Sequence, residues 1–280
     1  MFDFNKQLNA IMNNQQTLNT LFGNLQNFAT PGYKASGTSF QEMVNQSMGS
    51  GAGSSIQTTN VQFGEGKIMP TGGTGANGTP MDLAIQGNGF FSLSDGKSMH
   101  FTRGGRFHFK DGKLSDPTSG MKVMGYALDE NGAPTGKLSE ISLSMDPNTR
   151  LYGGKYTGFR FDSGGKLYGE SRFSDPLTGQ SMVSVTPLYQ VGVSSFANPS
   201  GLRRTGTTTF AASENSGKPV VGVSGQGALG QVVAGALEMS NIDMGQQVSQ
   251  ILMARQNYEA NFSAFKAMDR MTDQAIGLIK

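Results

Sequence analysis

The sequence predicts an α+β protein, with paired, coiled-coil-like helices at the N- and C-termini and an inserted antiparallel β domain that is rich in turns. Three observations support this class. Apolar residues recur every three or four positions near both ends of the chain, which is the period of a helix. Glycine supplies 40 of the 280 residues, about twice its usual share. Short segments of alternating polarity, separated by glycine-containing turns, fill the middle.

The N-terminal helix is predicted from a narrow apolar stripe with one polar break. The stripe consists of Leu8, Ile11, Gln15, Leu18, Phe22 and Leu25. The helix is expected to end between Asn27 and Gly32, because Pro31 lacks a backbone donor and Gly32 permits a left-handed turn. Asn and Gln fill eleven of the first 30 positions, where only Asp3 and Lys6 are charged. Amides lose less than charges on desolvation, so this face suits packing against other chains; a polar tail without fixed structure is the alternative.

The C-terminal segment, residues 236–280, is predicted to form the second helix. Its candidate core face consists of Val248, Ile251, Leu252, Tyr258, Phe262, Phe265, Met268, Met271, Ala275, Ile276 and Ile279. Residues 248–280 contain no proline and one glycine, so the stretch is long enough to extend about 50 Å. Neighbouring sequence cannot bury all of these side chains, and the N-terminal stripe is the nearest partner. The pairing is either the core of an ordinary helical bundle or part of an assembly.

In the assembly interpretation, seven side chains of the two stripes bury apolar surface within and between copies of the chain. They are Leu18, Phe22, Leu25, Ile251, Tyr258, Phe262 and Phe265.

The middle of the chain is predicted to be antiparallel β structure. Two short strands, 83–85 and 90–93, flank the turn at 87–89, and another strand, turn and strand surround 103–105. Further turns are expected at 111–112, 131–132, 163–165 and 177–179, and further strands at 121–127, 181–188, 206–211 and 219–223.

We divide the chain into three segments on these grounds. Residues 1–48 hold the N-terminal helix and the segment after it. Residues 49–235 form the β-rich region, which a boundary near 120–190 would split into two subdomains. Residues 236–280 form the C-terminal helix, which pairs with the N-terminal one.

Composition excludes several classes of function. The 22 basic and 20 acidic side chains give a net charge of +2 with no long basic run, so nucleic acid is not an expected partner. No cysteine is present, which excludes disulfides, thiolate metal sites and thiol catalysis. No run of about 18 apolar residues predicts a transmembrane segment, and the N-terminus lacks the features of a secretory signal.

Gly225, Gly227 and Gly230 match the GxGxxG spacing of a dinucleotide-binding loop. That loop needs a βαβ unit and more parallel strands after it, whereas the remaining residues are predicted to form one helix. A glycine-rich turn is therefore the favoured interpretation, and a nucleotide-cofactor-binding enzyme is the remote alternative. A secreted carbohydrate-binding adhesin would explain the β-rich middle but not the helices. We expect no cofactor, no metal and no small-molecule substrate.

Three other features have structural explanations that are preferred over catalytic ones. Ser94 and Lys97 have the SxxK spacing, but the Asp-Gly between them marks a turn. His100 and His108 lack partners at catalytic or metal-ligating spacing. Arg103 and Arg106 flank a Gly-Gly pair and are either interface anchors or part of a solvated turn.

Six blocks of sequence resemble bacterial flagellar rod and hook proteins, in the order in which that family has them. They are LQNFATPGYK at 25–34, DLAIQGNGFF at 82–91, FTRGGRF at 101–107, FANPSGL at 196–202, GALEMSNID at 235–243 and RQNYEAN at 255–261. The residues that we identify as family motif positions are Asn27, Gly32, Tyr33, Lys34, Gly87, Gly89, Phe90, Glu238, Ser240, Asn241, Glu259 and Asn261.

This resemblance implies a structural protein, not an enzyme. Members of the family are exported by the flagellar type III apparatus without a cleaved signal peptide, and their terminal helices order on polymerisation into a tube. The implied partners are copies of the chain and neighbouring rod and hook proteins, and the implied location is the basal body or hook. A length of 280 residues suits a distal-rod-like protein that transmits torque for swimming. A short hook protein or a hook or rod paralogue is the alternative.

Overall fold

The computed structural model describes residues 4–43, 54–71, 81–143, 156–174 and 181–278. The chain divides into two compact units. Unit 1 consists of Met1–Phe28, Ala35–Gln62 and Ile242–Lys280, and unit 2 consists of Ala29–Lys34 and Phe63–Asn241. The chain therefore passes between the units four times. The predicted division into three segments stays a prediction.

Unit 1 contains two helices and a two-stranded sheet. The elements are α1 (Phe4–Gln26), β1 (Ser36–Met43), β2 (Ser54–Val61) and α2 (Met244–Leu278). The helices contact each other, and the Asn24 amide donates to Gln247 Oε1 at 3.4 Å, so the end of α1 lies beside the beginning of α2. At the usual rise per residue, α1 is about 34 Å long and α2 about 52 Å long.

Local sequence explains where the helices end. After α1, three residues of turn lead to the Pro31-Gly32 pair, where Gly32 has a φ of 72°. Before α2, Asp243 Oδ1 accepts a hydrogen bond from the Gln246 amide at 2.9 Å, which caps the helix. Residues upstream of this cap are not helical: Ala236–Glu238 forms a strand.

Unit 2 is built from seventeen strands among the described residues. They are β3 (Ile68–Pro70), β4 (Met81–Gln86), β5 (Phe90–Ser94), β6 (Met99–Thr102), β7 (Arg106–Lys110), β8 (Lys113–Ser115), β9 (Lys122–Leu128), β10 (Pro134–Glu140), β11 (Gly158–Phe161), β12 (Lys166–Ser174), β13 (Ser181–Val191), β14 (Val193–Ser195), β15 (Arg203–Arg204), β16 (Thr209–Ala211), β17 (Val220–Gly222), β18 (Gln231–Ala234) and β19 (Ala236–Glu238). A short 3-10 helix covers Pro199–Gly201.

The strands pair antiparallel throughout the described residues. A fifteen-stranded sheet has the central order β15-β16-β6-β5-β9-β8-β7-β4-β18, and β3 pairs with β19 separately. The register places Leu83 opposite Ala234, Phe91 opposite Thr102 and Leu93 opposite Val123. β4 does not pair with β5, and β6 does not pair with β7. Instead, β5 pairs with β6, and β4 pairs with β7 and with β18.

The core of unit 2 is apolar and closed to solvent. Its fully buried members include Leu83, Phe91, Leu93, Phe107, Leu114, Val123, Ile141, Leu167, Val191, Val193 and Val232. Each large side chain of this kind contributes roughly 1.5–3 kcal/mol through burial. The rings of Phe91 and Phe107 meet edge to face at 5.2 Å.

The α+β class predicted from the sequence is wrong. Among the described residues, strands account for 40% and helices for 24%, and the large antiparallel β domain dominates. The two terminal helices received too much weight, because a long helix produces a clear period whereas a short strand between turns produces a weak one. β10 and β12 illustrate this: both contain glycine and charged residues, and neither shows a regular alternation of polar and apolar residues.

Candidate functional site

Four of the motif blocks meet at a buried ion cluster in unit 2. The Lys34 ammonium lies 2.5 Å from Glu238 Oε1, and Arg103 Nη1 lies 3.2 Å from Glu238 Oε2. All three side chains are buried. Lys34 also donates to the Gly64 carbonyl at 2.7 Å, and the Gly66 amide donates to Glu238 Oε1 at 2.9 Å. We call Lys34, Arg103 and Glu238 the ion cluster.

Arg103 connects the cluster to the DLAIQGNGFF block. Its guanidinium donates to the carbonyls of Ile85 at 3.0 Å and Gly87 at 2.7 Å, and lies over the Phe90 ring at 5.4 Å. It is thus neither part of a solvated turn nor an exposed anchor. Its contacts hold together the two glycine-rich connections between β4 and β5 and between β6 and β7.

The backbone of the TPGYK segment fits against the cluster so closely that a side chain is excluded. A Cβ on Gly32 would lie 2.1 Å from the Gly104 nitrogen, and the positive φ of Gly32 disfavours other residues as well. The Gly32 amide donates to the Glu238 carbonyl at 2.7 Å. Glu238 therefore fixes this segment through both its side chain and its backbone.

Arg204 covers the same segment from a different strand. Its guanidinium lies over the rings of Tyr33 at 4.7 Å and Phe210 at 5.1 Å, and it donates to the Lys34 carbonyl. Cation–π contacts of this kind are strongest when desolvated. Arg204 thus stabilises the buried position of Tyr33 and Lys34.

Burial dominates the electrostatics of the cluster. It lowers the pKa of Lys34 and of Arg103, and the charge of Glu238 opposes both shifts. Burial also lowers the pKa of Arg204. Two buried cations share one buried carboxylate, and the charge of Glu65 acts on both as well. Loss of the Glu238 carboxylate would remove the anion to which both cations are hydrogen-bonded.

The remaining motif residues of unit 2 have packing and hydrogen-bonding roles. Gly89 has a φ of 136°, and a Cβ there would lie 2.7 Å from Val193 Cγ1. The Asn241 amide donates to the Gly64 carbonyl at 3.4 Å. Ser240 Oγ is buried and has no hydrogen-bond partner among the described residues.

Three motif residues lie in unit 1. The Asn27 amide donates to the Gly23 carbonyl at 2.8 Å, which extends the hydrogen bonding of α1 past its last turn. Glu259 accepts from Arg255 Nε at 2.9 Å on an exposed face of α2. Asn261 is half-buried.

The seven predicted assembly residues remain accessible in part. Phe22 is 47% exposed and Phe262 is 40% exposed. The other five, Leu18, Leu25, Ile251, Tyr258 and Phe265, are half-buried. Tyr258 and Phe262 stack at 6.1 Å on one face of α2, and the Lys266 ammonium lies 4.6 Å from the Phe262 ring.

Four buried side chains of α1 and α2 were not predicted from the apolar pattern. Leu21, Asn24, Gln247 and Ala254 are each less than a tenth exposed. Asn24 exchanges two hydrogen bonds with the backbone of Ser36, at 2.8 and 2.9 Å. Apolar periodicity does not identify a buried amide or a small Ala. Asn24 could have been identified from the sequence, because it lies on the same helix face as Leu21 and close to the helix end.

Large apolar side chains are exposed along both helices. They are Leu8, Met12 and Phe22 in α1 and Met244, Val248, Leu252, Met253, Phe262 and Met271 in α2, of which Met12, Met244 and Met253 lie outside the predicted stripes. Scattered apolar residues are normal on a surface, whereas this set follows both helices. We call this set, with the seven predicted residues, the helix surface.

The motifs considered for catalysis form turns. Gly225–Gly230 connects β17 to β18, so a strand follows where a nucleotide-binding loop needs a helix. Asp95, within the SxxK match, accepts from the amides of Lys97 at 2.7 Å and Ser98 at 2.6 Å. Those two hydrogen bonds lower the pKa of Asp95 to about 2.

Among the described residues, no group of three or more His, Asp or Glu side chains is placed to hold a metal ion. Neither α1 nor α2, over the residues that the structure covers, is long and apolar enough to cross a membrane.

Comparison with known proteins agrees with the resemblance. Residues 233–278 match the family model described as "Flagellar basal body rod FlgEFG protein C-terminal". The flagellar basal-body rod protein FlgG of Bacillus subtilis is 27% identical over 285 residues, which cover 97% of this chain and 96% of that protein. FlgG of Borreliella burgdorferi is 24% identical, with coverage of 92% and 91%.

Hook proteins match over shorter stretches. The flagellar hook protein FlgE of Salmonella typhimurium is 33% identical over 91 residues, which cover 32% of this chain and 23% of FlgE. The matched family model, the FlgG rod proteins and the hook protein all carry flagellar names. The chain is therefore similar to flagellar basal-body rod and hook proteins, and to the rod proteins over more than nine tenths of its length.

Proposed function

We propose that the chain is a structural axial subunit of the bacterial flagellum, of the distal-rod type, and that it does no catalysis. The observation that carries the rod assignment is coverage: the two FlgG proteins match over more than nine tenths of both chains. The FlgE proteins match over a quarter or less of their own length. A hook protein would have to lack most of what those relatives contain.

The helix surface supports assembly through the terminal helices. Phe22 and Phe262 are exposed on helices that already pack against each other. A second copy can therefore cover these two side chains without any change in the fold of unit 1. Each large side chain that becomes buried between copies contributes roughly 1.5–3 kcal/mol. The assembly can therefore be stable even though a helix such as α1 is marginal in isolation.

The ion cluster supports a role of the chain in transmitting torque. Lys34 is the last residue of unit 2 before the chain returns to unit 1, and Glu238 lies three residues before the final crossing at Asn241. Within unit 2, the cluster ties these two segments to Arg103 and hence to the large sheet. Force carried along the chain thus reaches segments that are anchored by buried charges.

The proposed partners follow from the same assignment. They are copies of this chain, the neighbouring rod and hook proteins, and the flagellar type III export apparatus. The proposed location is the flagellar basal body.

Electron microscopy of basal bodies from cells that lack this chain tests the proposal. We expect a shortened rod with no hook attached, because the hook is built on the rod. A full-length rod without a hook would favour the short-hook alternative. A complete rod and hook in those cells would contradict both assignments.

A further inference from the structure

The connection between β4 and β5 contains an Asn-Gly pair, Asn88-Gly89. Such pairs are prone to lose the asparagine side-chain amide, because glycine has no side chain that hinders attack by its own backbone nitrogen. The sequence contains two more Asn-Gly pairs, at 77–78 and 131–132, and the former lies outside the described residues. Asn88-Gly89 and Asn131-Gly132 can therefore be compared in the structure.

The groups that would react at Asn88 are unengaged and close to solvent. Asn88 is exposed, and its side chain makes no hydrogen bond to another described residue. Within the described ranges, the Gly89 amide donates no hydrogen bond either. Both residues line a cavity of about 280 Å³, through which water can reach them. The Gly89 nitrogen can therefore lose its proton without breaking a hydrogen bond to the protein.

The carbonyl of Asn88 is held by a fixed donor. The Gly230 amide donates to this oxygen at 2.6 Å. A Cβ on Gly230 would lie 2.6 Å from the Gln86 carbonyl oxygen, so the approach of the two segments is close. When the Gly89 nitrogen loses its proton, the negative charge spreads onto the Asn88 carbonyl oxygen. The Gly230 amide then stabilises this charge as the donor of an oxyanion hole does.

The charged group that hydrogen-bonds this connection is a cation. Arg103 Nη2 donates to the Gly87 carbonyl at 2.7 Å, which favours negative charge on the neighbouring peptide. Glu238 and Glu65 also act on Arg103 and oppose its effect. We therefore assign the main stabilisation to the Gly230 amide.

Asn131-Gly132 has the opposite environment. The Gly132 amide donates to the Asp129 carbonyl at 2.9 Å, so loss of its proton would break a hydrogen bond. Asp129 Oδ1 accepts from the amides of Asn131 at 3.0 Å and Ala133 at 2.7 Å. A carboxylate in this position disfavours a second negative charge on the adjacent peptide.

We propose that Asn88 is a site of spontaneous deamidation in the folded chain and that Asn131 is protected from it. The Gly89 nitrogen loses its proton to solvent and attacks Cγ of Asn88. The new N–Cγ bond closes a succinimide ring, the Cγ–Nδ2 bond breaks, and Nδ2 takes up a proton and leaves as ammonia. Water then opens the ring at either carbonyl, which gives aspartate or isoaspartate. Nothing is oxidised or reduced, and solvent is the only co-reactant.

The product changes the β4–β5 connection. One added carboxylate lowers the net charge of the chain from +2 to +1 and places a negative charge on the cavity wall that Lys34 and Arg103 share. Isoaspartate also lengthens the backbone by one carbon next to Gly89, where a Cβ would already lie 2.7 Å from Val193 Cγ1. The reaction needs the fold of unit 2 alone, so it is independent of the proposed assembly.

Mass spectrometry of the full-length chain tests the proposal. The folded chain is incubated at mildly alkaline pH in water labelled with heavy oxygen, digested, and sequenced by fragmentation to locate the label. We expect Asn88 to convert at least about tenfold faster than Asn131, since one fixed donor to a developing oxyanion changes enzyme rates by about 10²–10³. In urea, which removes both environments, the two sites should react at similar rates.

Two variants serve as controls. Asn88→Gln should abolish the label at position 88 and leave the rate at Asn131 unchanged. Asp129→Asn removes the charge but keeps a side-chain oxygen that can accept the same amides. It should speed conversion of Asn131 and leave the rate at Asn88 unchanged.

Three results would overturn the proposal. The first is conversion of Asn88 in the folded chain that is no faster than that of Asn131. The second is a faster Asn88 whose advantage persists in urea, because local sequence and not the fold would then be its cause. The third is an unchanged rate at Asn131 in Asp129→Asn. None of these measurements requires a polymer, so each leaves the proposed function intact.

Discussion

Glu238 is the residue on which the ion cluster depends. Its carboxylate accepts hydrogen bonds from Lys34, Arg103 and the Gly66 amide. A buried ion pair adds little net stability compared with apolar residues of the same size, but removal of one partner is expensive. The cluster therefore determines which segments of unit 2 pack together more than it adds to stability.

Replacing Glu238 with Gln should destabilise unit 2 by about 3–5 kcal/mol, because two buried cations lose their charged partner. Urea unfolding followed by circular dichroism measures the change. Glu259→Gln is the matched control: its ion pair with Arg255 is exposed and should change the free energy of unfolding by less than about 0.5 kcal/mol. Equal effects of the two variants would contradict a structural role for the cluster.

Gly32 and Gly23 provide a second comparison. Gly32→Ala should destabilise unit 2 by at least about 2 kcal/mol, because the left-handed backbone and the contact with Gly104 both exclude a Cβ. Gly23 lies within α1 with open space around it, so Gly23→Ala should stabilise the helix by up to about 1 kcal/mol. Thermal unfolding of both variants measures these changes. An unchanged unfolding temperature of Gly32→Ala would contradict the close contact between Gly32 and Gly104.

Asp95 gives a prediction for pH. Its pKa is about 2 in the folded protein against 3.8 as the reference value, because amides of Lys97 and Ser98 donate to the carboxylate. A depressed carboxyl pKa stabilises the folded state above the unfolded pKa, and this contribution is lost as the pH falls from 3.8 towards 2. Wild type should therefore lose its advantage over Asp95→Asn across that window in denaturant unfolding. A constant difference from pH 2 to pH 5 would exclude this account.

At the scale of elements, buried and exposed residues of the two helices should have different effects on stability and on assembly. Phe262→Ser alters an exposed side chain of α2, so we expect normal helix content and loss of polymer. Leu21→Ala alters a buried side chain of α1, so we expect lower helix content and a destabilisation of about 2–5 kcal/mol. Circular dichroism and sedimentation of the same samples compare the two. Polymerisation of Phe262→Ser at the wild-type level would show that the helix surface is not the contact.

The helices were the elements that sequence could predict best. The stop of α1 follows from Pro31 and Gly32, and its observed end at Gln26 lies just before the expected region. The start of α2 was harder to predict, since Ala236–Glu238 carries residues compatible with helix and becomes a strand by pairing with β3. Pairing with a distant strand overrides local preference.

The strands show the same limit more strongly. Sequence located the segments that became β4, β5 and β9, but the glycine turn at 87–89 suggested that β4 and β5 pair, and they do not. The fifteen-stranded sheet depends on partners far apart in the chain, such as β4 with β18. Local signals therefore underestimated the β content and led to the wrong fold class.

The sequence predicted the motifs of the candidate site but not that their residues lie together in the fold. Lys34 and Glu238 are 204 positions apart, and Arg103 and Glu238 are 135 apart. Their motifs marked each residue separately. Only the fold shows that four motif blocks share one buried cluster, because no periodicity relates residues at such separations.

At the scale of the whole molecule, each unit has its own task in the proposed subunit. Unit 1 supplies the helix surface, where apolar side chains remain exposed along α1 and α2. Unit 2 supplies a closed apolar core and the ion cluster. In the proposed subunit, the helix surface joins copies of the chain into an axial polymer.

Electron cryomicroscopy of the polymer formed by the full-length chain tests that claim most directly. We predict a helical polymer in which Phe22 and Phe262 are buried between copies. A polymer in which both side chains stay exposed to solvent, with copies joined through unit 2 alone, would contradict it.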